Sequence, residues 1–425
     1  MAEIKPVENQ LAADVMVVGG GIAGITSAIE TAETGKQVIL VEKSPTLGGR
    51  VAAMNQYFPK LCPPTCGIEI NLKRIRASNN IRVLTLADIE DISGQPGKLT
   101  VTIKLNPRFV NAKCTSCGEC EKVCEIERDD EFNHGMSKTK AIYQPHMLAY
   151  PPRHVVDPEY ASDDRMKKVA EACEYGAIDL DMKEKTVTAE VGGIVWATGW
   201  KPYDATKIDN LGFGKVKNVL TNVMMERLAV PNGPTEGKIV RPSDGKEIKT
   251  IGFVQCAGSR DENHLPYCSA ICCMASMKQA TYVREQYPEA DIHLFYIDVR
   301  SPGRLEDFYF KMQEDEKMYF HRGKVGKVTE NPENGNVILE AENTLTGKIT
   351  RTEVEMAILA TGMVPNAVDN PPPLDTRLDD FGFIAPDNDN GIYGAGVASR
   401  PYDVSGANMD ATGAALKALT CGVRR

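Results

Sequence analysis

The chain has 425 residues, of which 42% are apolar and 25% are charged, a composition typical of a folded globular protein rather than a disordered or collagen-like one. Its 49 Lys and Arg residues are outnumbered by 58 Asp and Glu residues, so the net charge is −9 at pH 7. This acidic balance argues against nucleic acid as a partner, because phosphate binding needs a basic surface. At ~150 residues per domain, the length predicts about three domains.

The sequence shows neither a secretory signal nor a membrane-spanning helix. Its first residues lack a basic segment followed by an apolar one, and no apolar run approaches the ~18 residues that a span requires. We therefore expect a cytoplasmic protein that reaches a membrane only through a partner. The twelve cysteines occur in clusters, which in a reducing compartment predicts metal or redox chemistry rather than structural disulfides.

The first predicted elements form a βαβ unit. An apolar strand at Asp14–Val18 precedes a helical pattern at Ile22–Thr34, and a second strand at Val38–Val41 is followed by Glu42. This order of strand, glycine-rich turn, helix and strand within ~30 residues is typical of a parallel α/β sheet.

The turn after the first strand carries Gly19, Gly21 and Gly24 in a GxGxxG pattern. The first glycine permits a tight turn, the second lets the backbone approach a pyrophosphate, and the third lets helix and strand pack closely. The phosphates then lie at the helix N-terminus, where unpaired N–H groups favour anions. Glu42 is expected to accept a hydrogen bond from a ribose hydroxyl. This segment therefore predicts a dinucleotide site.

A charged, cysteine-bearing segment from Lys113 to Asp181 has few strand signals and indicates an insertion with its own small core. Beyond it, a second α/β half is predicted. The further predicted strands are Thr186–Glu190, Gly193–Thr198, Thr250–Gln255, Ile292–Asp298, Val337–Ala341, Thr352–Leu359 and Ile392–Gly394, and the further predicted helices are Ser269–Tyr287 and Val404–Leu419.

The insertion contains a ferredoxin-type cysteine run. Cys114, Cys117, Cys120 and Cys124 are separated by two, two and three residues, the spacing that wraps a loop around a [4Fe–4S] cluster. We expect the first three to be ligands and Cys173, in a segment that resembles the closing half of a ferredoxin, to be the fourth, with Cys124 as the rival. Zinc is the alternative, and this spacing is a poor match to zinc sites.

Several segments resemble the FAD-binding family of two-dinucleotide-domain flavoproteins. They are Glu42-Lys43 with the following Gly49-Arg50, two Ala-Thr-Gly crossovers, and a late strand that ends at Gly396. Family members usually have Asp after that glycine; here Val397 stands there, and Asp403 or the next helix N-terminus is the expected substitute. The resemblance implies FAD contacts from Gly19, Gly21, Gly24, Glu42, Lys43, Gly49, Arg50, Ala197, Thr198, Gly199, Thr361, Gly362 and Gly396.

The second half has a degenerate nucleotide fingerprint. After its first strand, Gly258 is the single glycine of the turn, and Cys256 occupies part of it. Without a close backbone approach, a pyrophosphate is poorly held. We therefore expect electrons to reach the flavin from a donor other than NAD(P)H.

Six further cysteines leave alternatives open. Cys62 and Cys66 follow the Gly-Gly-Arg loop, where related disulfide reductases carry a flavin-facing dithiol, so these two are candidate catalytic residues. A later group consists of Cys256, Cys268, Cys272 and Cys273. One alternative is a second cluster with ligands from this group and from the Cys62 and Cys66 pair, and the other is that these residues are buried free thiols. His134, His146 and His154 are expected at the surface or behind the ligands rather than as ligands.

The combination resembles the A-subunit family of heterodisulfide reductases, through stretches such as Gln255–Asp261 and Tyr267–Met274. Without the extra iron–sulfur segments of archaeal members, the chain is most similar to the A-subunit of the quinone-interacting membrane-bound oxidoreductase complex of sulfate-reducing bacteria. That resemblance implies a homologous flavoprotein and iron–sulfur subunit, a haem-bearing membrane subunit, and electron exchange between menaquinone and adenylylsulfate reductase. It also motivates flavin-based electron bifurcation or confurcation.

The expected fold is an α/β, two-dinucleotide-binding-domain flavoprotein of the thioredoxin or disulfide reductase type with a ferredoxin-like insertion. The alternative function is a soluble disulfide or NAD(P)H-dependent flavin reductase. The expected segments are 1–112 as the first part of the FAD domain, 113–181 as the insertion, 182–248 as the return and crossover, 249–360 as the second nucleotide-binding-like domain, and 361–425 as the C-terminal part of the FAD domain.

Overall fold

The computed structural model describes residues 8–386 and 388–421. The helices of the described residues are α1 (Ile22–Glu33), α2 (Pro64–Ala77), α3 (Glu119–Val123), α4 (Asp164–Glu171), α5 (Asn222–Ala229), α6 (Cys272–Gln286), α7 (Leu305–Gln313) and α8 (Val404–Cys421). The strands are β1 (Gln10–Val18), β2 (Val38–Glu42), β3 (Ile81–Thr85), β4 (Ala87–Gln95), β5 (Lys98–Leu105), β6 (Glu127–Asp129), β7 (Lys138–Lys140), β8 (Ile142–Tyr143), β9 (Val155–Val156), β10 (Lys185–Trp196), β11 (Trp200–Pro202), β12 (Val219–Thr221), β13 (Thr250–Ala257), β14 (Asp291–Tyr296), β15 (Met318–Arg322), β16 (Val325–Glu330), β17 (Val337–Asn343), β18 (Lys348–Val354), β19 (Met356–Thr361), β20 (Met363–Pro365) and β21 (Ile392–Gly394). No helix among them is both long and apolar enough to cross a bilayer.

The first sheet has the order β3-β2-β1-β10-β5-β4, and β21 also pairs with β10. Strands β1, β2, β3 and β21 run parallel to their neighbours, whereas β5 and β4 continue the sheet as an antiparallel hairpin. The apolar alternation of β1 explains its two-sided burial, because Val15 and Val17 face α1 and α8 while Met16 and Val18 face the hairpin side.

The two strands predicted at Thr186–Glu190 and Gly193–Thr198 are one strand, β10. Its first part pairs with β5 and its last residues pair with β21. A Cβ atom at Gly193 would lie 2.7 Å from the carbonyl oxygen of Ala418. The glycine therefore lets α8 approach the strand closely, and does not break it.

The second unit is built on a parallel five-stranded sheet with the order β12-β19-β13-β14-β15. A three-stranded antiparallel sheet, β16-β17-β18, belongs to the same unit. The predicted boundary at residue 248 falls inside this unit, because β12 pairs with β19 and α5 packs against α6. The predicted strand Thr352–Leu359 is wrong as one element, since Glu355 separates β18 from β19.

The insertion lies between β5 and β10 and has its own small core. Phe109, Ile126, Met166 and Val169 are buried there around α3 and α4. Four short strands form the pairs β6-β7 and β8-β9, although the sequence shows few strand signals in this segment. The bridge between Val110 and Ile178 closes the base of the insertion.

Candidate functional site

The turn between β1 and α1 has the close contacts that its glycines predict. Gly19 has a φ of +107°, and a Cβ atom there would overlap the carbonyl oxygen of Ala197. A Cβ atom at Gly24 would overlap the carbonyl oxygen of Gly19, so helix and turn pack without space for a side chain. At Gly21, which precedes α1, a Cβ atom would find its nearest neighbour 3.9 Å away, at Gly49. This end of α1 is thus open to an anion.

Glu42 is held rigidly at the end of β2. One carboxylate oxygen accepts the N–H of Gly20 at 2.5 Å, and the other accepts the N–H and the hydroxyl of Ser44 at 2.7 and 2.6 Å. The neighbouring Lys43 has a side chain that is 74% exposed, with its amine 3.5 Å from Asp88. Glu42 therefore lies at the turn, whereas Lys43 lies at the protein surface.

The side chains of Arg50 and Thr198 lack some of the hydrogen-bond or ion-pair partners that they could have. The Arg50 Nε donates to the carbonyl of Trp200 at 2.6 Å, and its guanidinium lies 4.9 Å from the centroid of that indole. Burial lowers the pKa of Arg50 to about 10, and no carboxylate of the described residues pairs with it. The hydroxyl of Thr198 is buried without a hydrogen-bond partner in the described part of the chain. A half-buried cation and an unpartnered hydroxyl beside a glycine-rich turn fit a large anionic cofactor such as FAD.

The late turn that should contact the flavin differs from the expectation at one residue. Val397 is buried against Met363 and Phe383. Asp403, the expected substitute, is exposed and accepts the N–H of Gly406 at 2.7 Å, where α8 begins. The carboxylate that reaches this turn belongs instead to Asp410.

Asp410 accepts the N–H of Gly396 and the hydroxyl of Ser399, each at 2.8 Å. Sequence reasoning missed this residue. The signal was nevertheless present, because Asp410 is the single acidic residue in the otherwise Ala- and Gly-rich α8.

The two Ala-Thr-Gly crossovers meet through a short ladder, β11-β20, that pairs Trp200 with Pro365. Thr361 and Gly362 lie in the second unit, at the end of β19. The Thr361 hydroxyl donates to the side-chain oxygen of Asn222 at 3.0 Å, and Gly362 packs against Ser259. The structure thus places the second crossover against its own sheet, whereas Ala197 lies against Gly19 of the first unit.

A cavity of about 150 Å³ in the insertion is surrounded by four cysteines, Cys114, Cys117, Cys120 and Cys173. The backbone N–H of Ala177 donates to the Cys173 sulfur at 3.4 Å. Cys124 lies outside this cavity, because its buried thiol donates to the carbonyl of Ile126 at 3.7 Å.

In residues 8–386 and 388–421, no three His, Cys, Asp or Glu side chains come together closely enough to hold a metal ion. Four thiols around a cavity, rather than around a point, fit the larger [4Fe–4S] core better than a single ion.

The Cys114 thiol has neighbours that favour its charged form. Burial raises the pKa of this thiol, but contacts with His154 and the backbone of Ser116 outweigh burial and lower the pKa to about 7. A thiolate is the form that binds iron. His154 is 2% exposed, so the expectation of a residue behind the ligands fits its position and a surface location does not.

A second group of cysteines lies where the second nucleotide fingerprint would be. Cys256, Cys268, Cys272 and Cys273 flank the loop between β13 and the first turn of α6, and they influence one another electrostatically. Burial, followed by the effect of Cys273, raises the pKa of Cys256 to about 11.

The remaining glycine of that loop is covered. A Cβ atom at Gly258 would lie 2.7 Å from the ring of Tyr203, whose hydroxyl is 2.9 Å from Nδ1 of His264. The aromatic ring occupies the side of the turn that a pyrophosphate would need.

Cys62 and Cys66 are free thiols near the start of α2. Cys62 is half-buried and its carbonyl accepts the N–H of Tyr57 at 3.1 Å, whereas Cys66 is exposed. Their role as a dithiol stays a prediction.

A buried polar junction joins the three units. Arg227, 1% exposed, donates to the Asn133 side chain of the insertion at 2.8 Å and to the carbonyl of Ala53 in the first unit at 3.3 Å. Lys278 pairs with Glu226 at 3.0 Å and donates to the carbonyl of Gln56 at 2.6 Å. These bonds hold the units in one arrangement, and sequence reasoning did not identify them.

Known proteins with the same fold give the class of this chain. Residues 14–61 match the family of FAD-dependent oxidoreductases. The whole fold is similar to thioredoxin reductase of T. acidophilum, with a TM-score of 0.53, 13% identity, and coverage of 98% of this chain and 100% of that one. The segment around the Gly19 turn thus matches FAD-dependent oxidoreductases, and the fold has a thioredoxin reductase-like architecture.

Relatives found by sequence similarity are more informative about the kind of protein than the shared fold is. The chain is 36% identical to the second iron-sulfur A-subunit of CoB–CoM heterodisulfide reductase in Methanopyrus kandleri, over 95% of this chain and 64% of that protein. It is 35% identical to the A-subunit of the H2:CoB-CoM heterodisulfide,ferredoxin reductase of Methanothermobacter marburgensis, over 95% of this chain and 63% of that protein. The chain is similar to the A-subunits of heterodisulfide reductases over nearly its whole length, and it spans less than two thirds of the length of these relatives.

Proposed function

We propose that this chain is an electron-transfer subunit that binds FAD in its first unit and a [4Fe–4S] cluster on Cys114, Cys117, Cys120 and Cys173. The observation that carries the proposal is the contact between the insertion and the first unit. The N–H of Leu47, in the loop before Gly49, donates to the carbonyl of Tyr150 in the insertion at 3.0 Å. The insertion therefore packs on the loop that would enclose the flavin cofactor.

The residues of the first unit have distinct roles in this proposal. The open N-terminus of α1 binds the pyrophosphate, Glu42 orients the ribose, and Arg50 neutralises negative charge in a buried position. Asp410 fixes the Gly396 turn at the ribityl end. When bound, FAD supplies exchange between two-electron and one-electron chemistry, and the cluster supplies one-electron transfer.

A second cluster on Cys256, Cys268, Cys272 and Cys273 is part of the proposal. Its support is the position of these thiols at the α6 N-terminus, where the phosphate of a nicotinamide cofactor lies in reductases with an intact fingerprint. A one-electron centre there would take the place of hydride transfer. Iron and sulfide analysis of the Cys272→Ser variant tests this part, and an unchanged content contradicts it.

We further propose the assembly that the resemblance implies. The partners are a homologous flavoprotein and iron–sulfur subunit, together with a haem-bearing membrane subunit, and the complex lies at the cytoplasmic face of the inner membrane. Electrons then pass between menaquinone and adenylylsulfate reductase, with bifurcation or confurcation at the flavin. The support is that both relatives above are named as subunits of larger enzymes. A flavin with uncrossed one-electron potentials would contradict bifurcation.

The alternative is a soluble disulfide or NAD(P)H-dependent reductase, which the Cys62 and Cys66 pair favours. The Tyr203 ring over Gly258 opposes it. The deciding experiment mixes anaerobic, flavin-loaded protein with NADH and then NADPH and follows flavin bleaching. Our proposal expects no bleaching by either nucleotide and reduction of flavin and cluster by dithionite. Rapid bleaching by either nucleotide, together with disulfide reduction that is lost in the Cys62→Ser/Cys66→Ser variant, would establish the alternative.

A further inference from the structure

We propose that His154, together with Arg153 and Arg108, raises the reduction potential of the insertion's cluster by stabilising negative charge on the Cys114 sulfur. This inference rests on the cluster ligation proposed above. It gives three residues outside the ligand set a positioning and electrostatic role, and it predicts the direction in which each one moves the potential.

His154 is fixed between two acceptors. Its Nδ1 lies 3.8 Å from the Cys114 sulfur, and its Nε2 lies 2.8 Å from a carboxylate oxygen of Glu121. The same Glu121 oxygen accepts the N–H of Gln144 at 2.9 Å, which fixes the carboxylate in turn. A thiolate accepts hydrogen bonds and has none to donate, so we assign an N–H to Nδ1, where it faces the ligand sulfur.

Arg108 and Arg153 are cations without a carboxylate partner among the described residues. Arg108 is 7% exposed and donates to neutral acceptors, which are the Pro45 carbonyl, the Thr85 hydroxyl at 2.8 Å and the His154 carbonyl at 3.5 Å. The Nε of Arg153 is buried without a partner in the described part of the chain. Burial lowers the pKa of both guanidiniums, and the Cys114 side chain opposes that effect on both. Both guanidiniums therefore lie close enough to Cys114 to favour negative charge on its sulfur.

The positive charge of these two guanidiniums is opposite in sign to the net charge of the insertion. Residues 113–181 contain nine Lys and Arg against fifteen Asp and Glu. Many of the acidic side chains are exposed, where solvent screens their effect. Charges that are buried or half-buried are screened less, so His154, Arg108 and Arg153 should act on the cluster more strongly than each exposed carboxylate does.

The consequence is a shift in favour of the reduced cluster. Reduction adds one negative charge to the cluster, and a buried cation or an N–H donated to a ligand sulfur stabilises the more negative state more strongly. Removing any of the three groups should therefore make the cluster harder to reduce.

The test is an EPR-monitored redox titration of the anaerobic, flavin-loaded full chain at constant pH. The signal of the insertion's cluster is the one that is absent in a Cys173→Ser variant. His154→Leu should lower the equilibrium constant for reduction about tenfold, which is ~59 mV for one electron. His154→Gln, which keeps an N–H donor, should recover part of that loss, and Arg153→Gln should lower the constant about threefold.

The matched control is Lys122→Gln, which removes an exposed cation that is already paired with Glu119 at 2.7 Å. Its potential should equal that of the parent. Variants that bind iron and sulfide as the parent does, yet keep its potential, would overturn the inference and leave the proposed function intact. A parent chain that takes up no iron and sulfide overturns the proposed function, and the inference with it.

Discussion

The junction between the three units gives the sharpest prediction on stability. Lys278→Met removes a charge that is paired with Glu226, and the two side chains are 3% and 7% exposed. Breaking a buried pair on one side costs ~3–5 kcal/mol, because the other charge stays buried. In this variant the Glu226 carboxylate would still accept three hydrogen bonds, from the amide of Gln279 at 2.7 Å, the N–H of Asn55 at 3.0 Å and the hydroxyl of Tyr282 at 3.2 Å. We therefore expect the free energy of unfolding of Lys278→Met to fall by about 3 kcal/mol, the lower end of that range.

The assay is urea unfolding followed by circular dichroism and by the release of flavin fluorescence in the same samples. Lys278→Met/Glu226→Gln removes both charges and should lie within ~1 kcal/mol of the parent, because a neutral pair leaves no buried ion. Lys122→Gln, from an exposed pair, should change stability by ~0–1 kcal/mol. A Lys278→Met variant as stable as the parent, or a double variant as unstable as the single one, would refute this reasoning.

Three further predictions concern individual side chains. Cys173→Ser should remove the iron and sulfide of the insertion's cluster, whereas Cys124→Ser should retain them, because the Cys124 thiol lies outside the cavity; equal losses in an iron assay would contradict this assignment. Arg50→Met should weaken FAD binding about ten- to a hundredfold in a fluorescence titration, as expected for ~1.5–3 kcal/mol from a charged hydrogen bond, and an unchanged affinity would exclude a contact with the cofactor. Burial, with the neighbouring His321, lowers the pKa of His293 to about 4, so the unfolded chain takes up this proton first and stability falls as the pH drops from about 6.5 towards 4. In His293→Gln that fall should be smaller in urea titrations at pH 7 and pH 5, and an identical fall would show that other groups cause it.

The sequence predicts those parts of the fold that depend on neighbouring residues. The strand, turn and helix around Gly19 are confirmed as β1 and α1, because a tight turn and an apolar alternation are local requirements. The junction could not be predicted in the same way. Arg227 and its partner Asn133 are 94 residues apart, and neither carries a pattern that marks a contact.

The same distinction explains the differences within the candidate site. The sequence predicts Asp403 or the next helix N-terminus as the substitute at Gly396, and the helical path of α8 brings the Asp410 carboxylate to this turn. Arg108 gives no sequence signal, since it lies outside the cysteine run and the packing of the insertion on the first unit brings it to the carbonyl of His154. Spacing alone left Cys124 and Cys173 as alternatives, and the packing of the insertion's core places Cys173 at the cavity.

The second unit keeps the framework of a phosphate-binding turn but not its uncovered glycine. A phosphate-binding turn needs a strand, a helix N-terminus and an uncovered glycine, and β13 and α6 still provide the first two. Tyr203 covers Gly258, and α6 begins with two cysteines instead of a phosphate-binding backbone. The helix N-terminus favours negative charge whether it belongs to a phosphate or to cluster thiolates. With the proposed second cluster at this turn, a few substitutions would exchange a hydride-donating nucleotide for a one-electron centre, without any change in the sheet beneath it.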